Sequence, residues 1–84
     1  MSDKQLDIAK YTRHLKKFQE HSNSTVVTKA TEILNGLDQL IAGATVTGFI
    51  NSVPQSVVLE EFSLECNSLN YIRDRIIELF EDNK

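Results

Sequence analysis

A chain of 84 residues with one cysteine, Cys66, and a net charge of −3 is one domain with a thin core and no internal disulfide to supplement it. The only histidines, His14 and His21, stand in a charged segment without a cysteine partner, and no apolar run reaches membrane-span length. Neither a metal centre nor a membrane anchor is therefore expected. The charge is divided along the chain: residues 1–29 hold six Lys/Arg against three Asp/Glu, and residues 30–84 hold three against nine. An acidic total argues against bulk DNA binding, which depends on neutralising many phosphates.

The first element is a helix over about residues 3–20. Ser2 and Gln5 have capping-box spacing, and Ile8, Tyr11, Leu15 and Phe18 follow as a narrow apolar stripe at steps of 3, 4 and 3. The polar run His21-Ser22-Asn23-Ser24 then reads as a loop.

The second helix is expected over about 24–44, capped by Asn23 or Ser24. Val26, Ala30, Ile33, Leu37, Leu40 and Ala44 step at 4, 3, 4, 3, 4, with Val27, Leu34 and Ile41 beside them. The stripe passes Asn35-Gly36 without losing phase, so that turn signal is read as helix, with Gly43 also inside. Each glycine costs a helix about 1 kcal/mol relative to alanine. Residues 45–52 are β-branched and include Gly48, and they are read as an irregular apolar corner, with helix left open as the alternative.

A third helix is expected over about 53–82, with Ser52 and Gln55 as a capping box and Pro54 in the first turn. Val58, Phe62, Leu69, Ile72, Ile76 and Leu79 mark its stripe, and Cys66-Asn67-Ser68 is the one place for a break. The fold expected is all-α: three helices, with a long antiparallel hairpin of helices 2 and 3, packed as a homo-oligomeric helical bundle.

Helix 3 has a second apolar row. Val57, Leu64 and Tyr71 repeat at sevens, about 100° round from the main stripe. Either helices 1 and 2 cover both faces, or one face meets a partner. Glu65 interrupts the main stripe and Arg73 stands on its shoulder. Each reaches a partly solvated edge or pairs across an interface. Val57, Leu64, Glu65, Tyr71 and Arg73 are the candidate partner-binding residues.

Lys10, Arg13, Lys16 and Lys17 crowd into eight residues, with Tyr11 and His14 among them. Such a cluster serves as solvated charge, as a dock for the acidic rear of the chain, or as an anion site of Lys10, Tyr11, Arg13 and Lys17 with Tyr11 stacking on a base. No phosphate loop, paired-cysteine motif or nucleophile elbow occurs. The expectation is a non-enzymatic, cofactor-free helical interaction protein of the cytoplasm: an adaptor, assembly factor or inhibitor that binds a partner protein. The alternative is a helical homo-oligomer that sequesters a small anionic ligand such as a nucleotide.

Overall fold

Tyr11 and Leu15 of the first stripe, the Val26–Leu40 line of the second and Leu69, Ile72 and Ile76 of the third meet in one buried cluster. The computed structural model describes residues 3–53 and 60–81. The chain is all-α, with no strand among those residues. Among the described residues there are four helices rather than three: α1 (Asp3–Phe18), α2 (Ser24–Ile41), α3 (Val46–Ser52) and α4 (Ser63–Glu81), the last led by a 3-10 turn over Glu60–Phe62.

Helix α2 starts where its cap dictates. Asn23 has extended backbone, and its Oδ1 accepts from the N–H groups of Thr25 (2.9 Å) and Val26 (3.2 Å), two donors that the helix itself leaves unmatched. Gly36 lies inside α2 as the stripe required. The end of the helix differs from expectation. Gly43 is not helical but has φ +107°, outside the range most side chains tolerate. Gly43 N–H donates to Leu40 O (3.1 Å) and Ala44 N–H to Gln39 O (2.9 Å), which is the Schellman pattern of a helix ended by glycine. Ala44, expected on the stripe, is exposed as a result.

The expected corner at 45–52 is a helix in its own right. Thr45 caps it by accepting from Gly48 N–H at 3.0 Å, and Val53 closes it with extended backbone. The third long helix accordingly does not begin at residue 53. Ser52 is the last residue of α3, not a cap, and its hydroxyl donates back to Phe49 O at 3.1 Å. Ser2, Pro54, Gln55, Val57, Val58 and Leu59 fall outside the described residues. Further on, α4 runs unbroken through Cys66-Asn67-Ser68.

Short as it is, α3 closes the core. Phe49 and Val53 are fully buried, and the Phe49 ring lies against Gly36, where a Cβ would come within 2.5 Å of it. Burying one such side chain contributes about 1.5–3 kcal/mol. The glycine is thus a seat for Phe49, not merely a tolerated weak point in α2.

In chain order α3 and residues 54–59 come between the second and third long helices, and the first turn of α4 sits at His21, next to the start of α2. Antiparallel register is legible between α1 and α4. Lys4 Nζ stands 4.2 Å from the Phe80 ring centroid, Tyr11 meets Arg75, and His21 meets Glu65, so residue numbers fall on α4 as they rise on α1. Gln19 Nε2 donates to Thr31 Oγ1 at 3.0 Å and ties α1 to α2. The Cα envelope of 38 × 26 × 17 Å is two helix layers deep, so α1 and α4 each keep a solvent-facing side.

Candidate binding surface on α1 and α4

Helix α1 turns Tyr11 and Leu15 inward and leaves Lys10, His14 and Lys17 exposed on one line at steps of 4 and 3. Across from them α4 presents Asn67, Ser68, Tyr71 and Ile72. The two sets wall an open groove of about 950 Å³, with Phe18, Glu20 and His21 completing its α1 side. The apolar bodies of Phe18, Ile72 and Tyr71 lie among the lysine and histidine tips.

Three of the four residues read from the sequence as an anion site, Lys10, Tyr11 and Lys17, line this groove. Arg13 is exposed but is not part of its wall. Tyr11 is only 8 % exposed, so its ring belongs to the core and offers no stacking platform. Its hydroxyl first, and then the Glu78 carboxylate, hold the Arg75 guanidinium above its ordinary value. The exposed ring in the groove is Tyr71, at 63 %.

The residues read as partner-binding divide between two sides of α4. Leu64 is 76 % exposed and stands two turns from Tyr71 on the outer face. Glu65 turns the other way, onto His21: Nε2 and Oε2 are 3.0 Å apart. Arg73 is 17 % exposed at its side chain and pairs with its neighbour Asp74 at 3.2 Å. Both charges are therefore engaged inside the chain, away from Leu64 and Tyr71, and Val57 lies outside the described residues.

His21 ties the top of the groove together. Asn23 N–H donates to its Nδ1 at 3.0 Å, so in the neutral ring the proton sits on Nε2 and is directed at Glu65. Phe62 packs edge-on to the same ring at 5.2 Å. With both nitrogens committed, the imidazole acts as a clasp.

Behind α4, Lys29 is 4 % exposed and lies near Arg73. Burial first, and then Arg73, push its ammonium below the ordinary value. The sequence carried no sign of this burial, because lysine at that position reads as a solvated shoulder of the stripe. His14, His21, Asn67 and Ser68 were also not singled out for this site, since residues on two helices far apart in the chain share no spacing rule. Among the described residues no cluster of three or more His, Cys, Asp or Glu is arranged to hold a metal, and no helix is long and apolar enough to cross a membrane.

No protein-family model matches this chain, and no curated protein or solved structure matches it either.

Proposed function

We propose that this chain is a small non-enzymatic helical interaction protein, an adaptor, assembly factor or inhibitor, that lays the outer face of α4 on the surface of a partner protein. One observation carries the reading: Leu64 and Tyr71, two large apolar side chains on one line of α4, are 76 % and 63 % exposed. An apolar row left in water on a small domain is a cost that contact with a partner removes. The test is capture by the tagged chain, compared with its Leu64→Ser/Tyr71→Ser variant. Partners bound specifically by the wild type and lost by a variant of unchanged helicity and melting temperature are the expected result. Equal capture by both overturns the reading.

A second reading has one specific support. Lys10 and Lys17 share a groove with the exposed ring of Tyr71, a combination suited to an aromatic anion such as a nucleotide. A native mass spectrum of gently purified protein tests it, through a stoichiometric mass increment that denaturation removes and that Lys10→Glu/Lys17→Glu abolishes.

A further inference from the structure

We propose that the α1–α4 groove receives an acidic amphipathic helix of a partner protein, its apolar row laid over Leu64 and Tyr71 and its carboxylates set against Lys10 and Lys17. The proposal rests on the interaction reading and gives that partner its chemistry.

The register of the two helices orders the charges along the groove. His21 at Glu65 and Lys4 at Phe80 set Lys17 about level with Ser68, and Lys10 about level with Arg75. Between these levels the α4 wall is Ser68, Tyr71 and Ile72 and carries no charge. The α1 wall carries Lys10, His14 and Lys17, all exposed. Among the described residues no ion pair engages any of these three. The middle of the groove is therefore basic along one side and apolar along the other.

The two ends differ from the middle. Glu20 bounds the basic stretch on the side of the α1–α2 loop. At the Lys10 end, Arg75 is paired with Glu78 at 2.9 Å, so the charges there cancel. Carboxylates of an occupant are favoured only over the two turns from Lys17 to Lys10, about 10 Å along α1. Helix α4 of a second copy does not meet this requirement, because Arg75 stands among its exposed carboxylates.

Two observations favour a helix over a small anion. Leu64 is 76 % exposed and lies on the line of Tyr71, about 10 Å further along α4 and outside the groove lining. A ligand of nucleotide size at Lys10 and Lys17 leaves Leu64 in water. A helix of about three turns reaches from Leu64 to the level of Arg75, about 16 Å, and covers both apolar side chains. The lysines, moreover, are spread two turns apart rather than gathered at one point, which matches carboxylates repeated along a facing helix better than a single phosphate.

Fluorescence anisotropy on the full chain tests the proposal with three labelled helical peptides of about 14 residues. All share one leucine row, and the positions beside it are glutamate in the first peptide, glutamine in the second and lysine in the third. The glutamate peptide is expected to bind about 10-fold more tightly than the glutamine peptide, with the lysine peptide weakest, and to lose that advantage as salt is raised. On Lys10→Glu/Lys17→Glu the order reverses, and on Leu64→Ser/Tyr71→Ser all three weaken together. All four positions are exposed, and circular dichroism verifies that the variants fold. A glutamate peptide that does not bind, binding that ignores peptide charge, or binding indifferent to either pair of substitutions overturns the proposal. The interaction reading keeps its own test, because partner capture through Leu64 and Tyr71 is read whatever the charge of the partner. Displacement of the glutamate peptide by one equivalent of AMP or GMP also overturns the proposal, in favour of the ligand reading.

Discussion

His21 and Glu65, 44 residues apart in the chain, meet at 3.0 Å and fasten the α1–α2 loop to the first turn of α4. The contact fixes one end of the α1–α4 pair, and Lys4 over Phe80 marks the other. Between these ends the two helices wall the open groove lined by Lys10, Lys17 and Tyr71.

Removing this clasp lowers stability by an amount set by partial exposure. Glu65→Ala is expected to cost about 1 kcal/mol in urea unfolding, the net worth of one hydrogen bond. Glu65→Gln keeps an acceptor for Nε2–H and is expected to cost less than half as much. His21→Ala loses the Asn23 N–H acceptor and the Phe62 ring contact as well, so a loss of about 2 kcal/mol is expected. Equal effects for all three would mean that the clasp is not what holds α4 at this end.

Gly36→Ala is expected to destabilise, against the usual gain of about 1 kcal/mol for replacing a helical glycine by alanine. The new methyl would lie 2.5 Å from Phe49 Cε1 and 3.1 Å from Val53 Cγ2, both on buried side chains. A net loss of about 1–3 kcal/mol is the expected outcome in thermal or urea unfolding. A gain in melting temperature would show that α3 shifts freely and does not seal the core.

Asn23→Ala is expected to cost about 1 kcal/mol, because Oδ1 satisfies two backbone donors of the first turn of α2. Asn23→Asp and Asn23→Ser should retain most of that stability. Hydrogen exchange at the amides of Thr25 and Val26 gives the local readout, and protection unchanged in the alanine variant would contradict the cap.

Lys29 gives a pH signature. Its folded value lies below 10.5, so between the two values the unfolded chain binds more protons than the folded one and stability rises with pH. The cost of holding the charge is fully present at neutral pH and is relieved as pH climbs through the lowered value towards 10.5. Against Lys29→Met as reference, the wild type is expected to gain stability between pH 7 and pH 10, measured by urea midpoints in parallel. A difference that stays flat over that range would make Lys29 an ordinary solvated lysine.

The apolar periods of the chain were enough to determine that it is helical and that α2 passes through Gly36; the polar run before α2 narrowed its cap to Asn23 or Ser24, and the break left open near Ser68 is absent from α4. These are local matters, governed by 3.6-residue repetition and by hydrogen bonds that reach only three or four residues. Gly43 was misread because the apolar phase ran past it, whereas a helix end is decided by where a left-handed residue satisfies the last carbonyls. Residues 45–52 stayed undecided between corner and helix because β-branched composition argues against helix until Phe49 has a seat to fill, and that seat is Gly36 on another element.

The candidate surface shows the same division. The lysine row on α1 and the Leu64–Tyr71 row on α4 are both visible as spacing in the sequence. Only the antiparallel packing of α1 on α4 makes them neighbours, turns the Tyr11 ring into core and sends Glu65 to His21. Spacing along the chain specifies which side chains share a face of one helix. Which faces meet is decided by burial and pairing summed over the whole fold, and no local pattern carries that information.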